Sequence, residues 1–561
     1  MKLKQNIKNI TLLIAGILIL NWVSSLVFKR FDLTKDKRYT LSEASKNTLA
    51  TVDSPIIVDV FLKGTAAPEF KRLKEETEQL LASFTTYNQN VRYEFINPLE
   101  DEEDAQAIAQ QLASMGLTAA QVEVKQNGKT NTEVVYPWAL ATYQEKTVRI
   151  PLLKNQLGAT TEDRVSASIQ NLEYAFADGF SKLSTPKRRK VAVLKGNGEL
   201  DDRYVADFFA SLKEYYFIAP FTLDSVASNP QKTLNDIAQY DLLVIAQPSE
   251  AFSEQEKYVL DQFTMQGGSS LWLLDATQTE LDTVSGKTFA VPRDLNLSDF
   301  FFKYGLRINR NLVKDIYAAP ITLATGSERE SQYSSYPWFY HPLSSSANNH
   351  PIVTNIEGVK FEYASSIDTL NNGIDKTILL SSSPVTKLVG LPAAIDFDKE
   401  IPENLRVVNE GPDPNAFPDG EQTLAVLLEG SFTSVYKNRV KPVQFAGDKT
   451  ESSVTKMVVI SDGNIIKNQL NGNRPLELGF DKFTSSFYGN KEFLLNTVNY
   501  LLDDSGLINI RTKEIAIPFL DVQKASKERT QWQVLNLVLP LGLLLIFGVG
   551  FTYFRKKKYA K

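Results

Sequence analysis

Three short apolar runs, Val191–Leu194 (VAVL), Leu242–Ala246 (LLVIA) and Ser270–Leu274 (SLWLL), decide the fold. They alternate with two segments of helical periodicity, Asp202–Glu214 and Ser253–Gln266. Ser253 and Glu256 form a capping box at the start of the second, and Gly267–Gly268 closes it. Continuous apolar strands between amphipathic helices predict a parallel sheet covered on both faces, the core of a doubly wound, Rossmann-like α/β domain. This reading assigns residues 190–285 to the first part of that domain. Leu297–Gly305 reads as a further helix, and strands are expected near Thr377–Leu380 and Thr423–Leu428, in an insertion of mixed character spanning 286–448. Met457–Ser461 and a helix at Lys491–Leu502 return the chain to the α/β domain over 449–519.

Upstream, residues 39–183 form a second pattern. Thr40 and Glu43 make a capping box with Tyr39 as a staple, and Ile56–Leu62 (IIVDVFL) is a strand. Pro68–Asn88 is an amphipathic helix, Val91–Phe95 a half-buried strand, and a helix through Ala105 and Leu112 stops at Gly116. A hairpin follows, turning at Asn127–Gly128, and Thr160 caps a last helix carrying Val165, Ile169, Leu172 and Phe176. Strand–helix–strand–helix–hairpin–helix is the order of a thioredoxin-like domain. The redox chemistry of that fold needs C-x-x-C where this chain has Lys63–Pro68, KGTAAP, so the activity is absent if the fold is right. Ser184–Lys190 (STPKRRK) reads as a solvated linker, with lipid head-group contact as the alternative.

The α/β body is flanked by two uncharged stretches predicted to be transmembrane helices. Val534–Phe554 (VLNLVLPLGLLLIFGVGFTYF) suffices to cross a hydrocarbon core of about 30 Å, and Arg555–Lys558 behind it favour the cytoplasmic side. Ile10–Phe28 (ITLLIAGILILNWVSSLVF) follows Lys2, Lys4 and Lys8 and reads as an uncleaved anchor rather than a signal peptide. Lys29, Arg30, Lys35, Lys37 and Arg38 oppose that orientation, but two spans put both termini on one side and long domains translocate largely regardless of charge. The expectation is a two-pass protein of the bacterial inner membrane, termini cytoplasmic and body periplasmic. Asn21, Trp22, Asn536, Gly542, Gly548 and Gly550 are polar, interfacial or small positions where another membrane helix could pack.

Composition narrows the chemistry. With 561 residues the chain holds several compact units, and a net charge of -5 argues against an electrostatic nucleic-acid binder. The absence of cysteine removes thiolate metal sites, iron–sulfur clusters and cysteine nucleophiles together. The two histidines, His341 and His350, both precede prolines, and no G-x-S-x-G elbow accompanies them, so a catalytic triad is not expected. Glu100–Asp104 (EDEED) precedes a helix, where carboxylates suit the dipole, and is not read as a metal site.

Ligands of open parallel sheets bind beyond the carboxyl ends of the strands. Here those positions are Gly196, Asn197, Gly198 and Glu199, then Gln247–Pro248, Asp275, and Asp462 with Gly463 and Asn464. They are candidate loops for a saccharide or another small polar ligand. G-N-G-E lacks the third glycine of a dinucleotide fingerprint, and no P-loop lysine motif occurs, so no cofactor is assigned.

Four stretches together resemble the gliding-motility ABC transporter auxiliary proteins of Bacteroidetes, the GldG family. They are Arg30–Ser42 (RFDLTKDKRYTLS), Leu428–Arg439 (LEGSFTSVYKNR), Val459–Asn468 (VISDGNIIKN) and Tyr488–Arg511 (YGNKEFLLNTVNYLLDDSGLINIR). The resemblance implies a non-enzymatic subunit working with an ABC permease and, through it, a cytoplasmic ATPase at the lipid bilayer. It brings no catalytic residues to carry over. A periplasmic receptor for a saccharide or lipid at the strand-end loops is the alternative; a degenerate enzyme such as a hydrolase, which would require an essential residue near His341 or Glu199, is the third reading, and nothing in the sequence asks for it.

Overall fold

The computed structural model describes residues 12–18, 21–22, 32, 40–65, 67–100, 105–126, 129–279, 282, 285–325, 332–346, 348–503, 505–513 and 522–559. Two compact units divide the chain, Met1–Glu514 and Ile515–Lys561.

The body of the first unit opens with α1 (Glu43–Ala50), β1 (Ile56–Val60), α2 (Pro68–Tyr87), β2 (Val91–Phe95), α3 (Ala105–Ser114), the hairpin β3 (Ala120–Gln126) and β4 (Lys129–Val135), β5 (Trp138–Tyr143), β6 (Lys146–Pro151) and α4 (Thr161–Ser184). Its four-stranded sheet runs β2-β1-β5-β6, with β1 parallel to β2 and antiparallel to β5. Ile56, Val58 and Val60 are buried while Ile57 between them is exposed, so only one face of β1 meets the core. Phe84 of α2 and Phe180 of α4 meet edge-on at 5.6 Å. The capping box of α4 forms between Thr160 and Asp163. The one expected at Thr40 does not: Ser42 caps α1 by accepting from Ser45 N, and the Thr40 hydroxyl donates to Asp32 at 3.0 Å. Tyr39, Ala66, Asp101–Asp104 and the expected hairpin turn at Asn127–Gly128 lie outside the described residues.

The chain continues through β7 (Lys190–Lys195), α5 (Asp202–Leu212), β8 (Phe217–Thr222), α6 (Pro230–Ile237), β9 (Leu242–Ala246), α7 (Glu254–Met265) and β10 (Ser269–Leu273). The segment expected as an insertion supplies β11 (Thr277–Gln278), β12 (Lys287–Pro292), α8 (Ser298–Tyr304), β13 (Leu306–Ile308), β14 (Asn311–Asp315), β15 (Ala318–Thr325), β16 (Gln332–Ser346), β17 (Val359–Lys360), β18 (Ile367–Thr369), β19 (Asp375–Ser381), β20 (Thr386–Gly390), β21 (Ala393–Asp396), α9 (Phe397–Glu410) and β22 (Thr423–Thr433). Then come β23 (Glu451–Ile460) and α10 (Asn490–Leu502).

One large sheet carries this region. Its parallel part is ordered β8-β7-β9-β10-β23, and it continues antiparallel through β22, β19, β16 and β15. Every residue of β9 and β10 is buried, as strands covered on both faces require. On one face Ile237 of α6, Tyr258 and Phe263 of α7 and Tyr304 of α8 share a core with Trp272, whose ring meets Phe252, Phe300 and Phe301. On the other, Phe208 and Leu212 of α5 share a core with Phe493 and Val498 of α10. The parallel expectation therefore covers five strands, and the two strands expected within the insertion, β19 and β22, extend the same sheet antiparallel. β8 escapes the sequence reading because it contains Pro220 and is only half-buried; proline is tolerated at a sheet edge, where β8 lies.

In the second unit, α11 (Val522–Lys527) precedes α12 (Arg529–Tyr559), 31 residues with none buried and an apolar window of mean hydropathy 2.4. It is long and apolar enough to cross a membrane and overruns the expected 534–554 span at both ends. Lys556–Lys558 occupy its last turn, where cations suit the helix dipole. Of the expected first span, residues 12–18 and 21–22 are described, helical and exposed; the rest lies outside the described residues.

Candidate functional site

The strand-end loops named from the sequence do converge. After β9, Gln247 donates from Nε2 to Asp275 Oδ2 at 2.6 Å and to Asn464 Oδ1 at 3.0 Å, joining the ends of β9, β10 and β23. Gly463 N donates to Asp275 Oδ1 at 2.6 Å. Asp462 accepts from Asn464 N at 2.7 Å and from Glu362 N at 2.6 Å. In the loop after β7, Asn197 N donates to Glu199 Oε2 at 2.9 Å, and Asn197 O accepts from both Ser249 N and Glu250 N at 3.0 Å.

The same loops pack closely on one another. A Cβ at Gly463 would lie 2.4 Å from Gln247 Cγ and 3.0 Å from its Cα, and one at Gly198, where φ is +72°, would lie 2.1 Å from Ser249 Oγ. Gln247 itself sits at φ 55°, a conformation that costs a non-glycine residue roughly 1 kcal/mol. These glycines serve close packing of loop on loop.

The electrostatics are those of acids without a close cation. Burial pushes both Asp275 and Asp462 above the usual carboxylate range, and the charge of Asp275 raises Asp462 further. Burial raises Glu199 as well. The nearest cation to Asp275 is Arg293, at 3.7 Å, beyond hydrogen-bond distance.

The sequence reading missed a second cluster, where the chain leaves the body. Glu173 of α4 is buried and accepts from Ser42 N at 2.7 Å, Ser45 Oγ at 2.8 Å and Lys513 Nζ at 2.7 Å, while Lys513 also donates to Thr40 O at 2.8 Å. Beside it, Glu492 of α10 receives Arg511 at 2.5 Å and Lys154 at 3.1 Å. Arg511, 2% exposed, lies 4.9 Å from the Tyr174 ring of α4 and donates to the carbonyls of Thr354 and Asn355 at 3.2 and 3.1 Å. Burial pushes both glutamates up, but their cations outweigh it and hold both below the usual carboxylate range. Burial, with Arg511 adding to it, lowers Lys154 despite the opposing Glu492. Residues 40–45, which open the body, and 511–513, which close it, are thus fastened to one helix. A Lys or Arg in a half-apolar segment such as Leu507–Lys513 is the only hint the sequence holds.

His341 is buried and His350 half-buried. Burial lowers His341 to about 3 and His350 to about 4, with Lys360 and Lys456 adding to the effect. Their rings meet Tyr363 at 5.6 Å and Tyr500 at 4.6 Å. On α12, a Cβ at Gly542, Gly548 or Gly550 meets nothing within 4 Å, and Asn536 is exposed. At roughly 100° per residue, Asn536, Gly542 and Gly550 share about a third of the helix circumference and Gly548 faces away. Asn21 and Trp22 are helical and exposed.

The fold and these clusters carry no described metal group: among the described residues no set of three His, Cys, Asp or Glu could hold an ion. What defines the class is the sequence of the large sheet. Residues 188–497 match the family described as an ABC-type uncharacterized transport system, and the chain belongs to that family of ABC transporter auxiliary proteins. Residues 35–142 match a domain of unknown function. At the level of individual proteins, the chain is similar to an uncharacterized protein of Borreliella burgdorferi, 22% identical over the full length of both. Among solved structures, the N-terminal domain of mmIFT52 overlaps 56% of this chain and 98% of its own at 13% identity, with a TM-score of 0.31. The β-galactosidase of Rahnella sp. R3 overlaps 77% of this chain and 59% of its own at 10% identity, with a TM-score of 0.18. Neither likeness defines the fold.

Proposed function

We propose that the chain is a non-enzymatic, membrane-anchored auxiliary subunit of an ABC transporter complex that supports gliding motility in Bacteroidetes. Two spans dock on the permease and, through it, reach the cytoplasmic ATPase, while the body stands in the periplasm. Family membership and the exposed apolar helix α12 with its terminal lysines support the reading. Asn536, Gly542 and Gly550 would form the permease contact on α12, and Asn21 and Trp22 that on the first span. The sheet order β2-β1-β5-β6 supports a thioredoxin-like first domain, and the parallel order β8-β7-β9-β10-β23 supports a doubly wound second one.

The observation that carries the proposal is the joint at Glu173. It ties Ser42, downstream of the expected first span in the sequence, to Lys513, upstream of α12 in the sequence, through one carboxylate of α4. A body built only to bind a ligand has no need of such a tie. Affinity purification of the full chain from gently solubilised membranes should recover a permease and an ATPase; recovery of neither rejects the assignment. Protease added to spheroplasts should digest the body, and protection until the inner membrane is lysed would invert the topology.

A further inference from the structure

We infer that a cavity beside the end of β10 binds a compact anion, phosphate or carboxylate, carried on an apolar chain. The cavity holds about 320 Å³, within the range of small-ligand sites. Its cations come from three separate segments: Arg293 follows β12, Arg307 lies on β13, and Arg310 lies in the turn before β14. Against these three guanidinium groups the lining has one carboxylate, Asp275, whose two oxygens already accept from Gly463 N and Gln247 Nε2 at 2.6 Å each. The remaining wall is apolar, formed chiefly by Leu295, Leu297, Phe301 and Ile308.

The arginines are placed but not saturated. Asp368, opposite Arg307 across the β13–β18 pair, accepts from its Nε at 2.9 Å and also from its Nη2, which leaves Nη1 without a described partner. Arg310 stands 3.7 Å from Asp294, too far for a hydrogen bond. The Arg293 side chain is 17% exposed, and its guanidinium, with five N–H donors, has as polar partners among the described residues Pro248 O at 3.5 Å and Asp275 at 3.7 Å. A half-buried guanidinium with spare donors costs free energy that an anion in the cavity recovers, and the planar fork suits phosphate or carboxylate oxygens. The flanking leucines and phenylalanine then take an alkyl chain. None of its lining residues belongs to the proposed permease contacts, so its failure would leave the copurification result standing.

The test uses the full chain in neutral detergent, titrated with hexyl phosphate, inorganic phosphate and hexanol by calorimetry. Hexyl phosphate should bind at least tenfold more tightly than inorganic phosphate, and hexanol should not bind. Arg293→Gln should weaken hexyl phosphate about tenfold to a hundredfold, the effect of losing charge-assisted hydrogen bonds. Should that variant fail to fold, exposed Arg310→Gln should still weaken it severalfold. Dihexanoyl phosphatidic acid binding as tightly as hexyl phosphate points to a lipid source, and its exclusion to a soluble anion; each supports the site. Absence of hexyl phosphate binding, equal binding of hexanol, or affinity unchanged in both variants overturns the inference.

Discussion

Two pairs of carboxylates in this body, three of them buried and Glu492 half-buried, respond to burial in opposite ways. At the strand ends, Asp275 and Asp462 are held by amides and by Gln247, no cation comes within hydrogen-bond distance of Asp275, and both groups are raised. At the joint, Glu173 and Glu492 are held by Lys513, Arg511 and Lys154, and both are lowered. Burial penalises the charged form in all four; a cation in direct contact decides the sign. The strand-end acids thus bring loops together through neutral-type hydrogen bonds, whereas the joint is an ionic lock that needs every partner. Functionally, one cluster shapes a crevice and the other fastens the two ends of the body.

The comparison breaks most readily at Arg511. Arg511→Met leaves Glu492 facing Lys154 alone and strips two carbonyls of a donor, so stability should fall by about 3 kcal/mol, near the lower end for a broken buried pair because Glu492 is 29% exposed. A denaturation midpoint unchanged in this variant would show that the joint carries no load. Glu173→Gln comes next, at about 2 kcal/mol, because the amide keeps its acceptor for Ser42 and Ser45 but loses the Lys513 charge. At the strand ends the vulnerable position is a glycine. Gly463→Ala must push a Cβ against Gln247, including its backbone, and should cost about 1–2 kcal/mol by overpacking. A neutral outcome would mean that the Gln247 bridge yields, and the crevice is then openable.

Much of this was legible. The three apolar runs foretell the central strands, the cap at Thr160 and the capping box at Ser253 foretell two helix starts, and the strand-end loops named from the sequence meet. The stretches that carried the family resemblance make packing contacts in the structure. Within Leu428–Arg439, Ser434 Oγ and Val435 N donate to buried Asp261 at 2.6 and 2.8 Å, and within Tyr488–Arg511, Asn490 donates to Lys360 O at 2.8 Å. Local pattern could not reveal the joint, because its partners Ser42, Lys154, Glu173, Glu492, Arg511 and Lys513 are scattered over the chain and none breaks a periodicity. The arginine cavity was hidden for the same reason. The antiparallel extension was obscured by prolines such as Pro337 and Pro342 within β16, which mask a strand's alternation.

The gentlest probe of the comparison is pH. For Asp462 the folded value lies above the unfolded one near 3.9, so between them the folded state holds a proton that the unfolded chain has released. Stability from this group is complete below about 3.9 and is lost as pH rises through the folded value. For Glu173 the folded value lies below the unfolded one near 4.3, so its contribution is present above about 4.3 and disappears as pH falls through the folded value. The stability of the parent chain minus that of Asp462→Asn should therefore decline as pH rises from about 4 to 7, and the corresponding difference for Glu173→Gln should grow as pH rises through the acid range to a plateau above about 4.3. The amide introduced by Asp462→Asn has a single side-chain oxygen for the backbone N–H groups of Glu362 and Asn464, a pH-independent offset of about 1 kcal/mol, so the slope is the readout. Slopes of the same sign, measured by denaturant midpoints across that range, would mean that the two carboxylate environments are alike and that contact with a cation is not what separates crevice from joint.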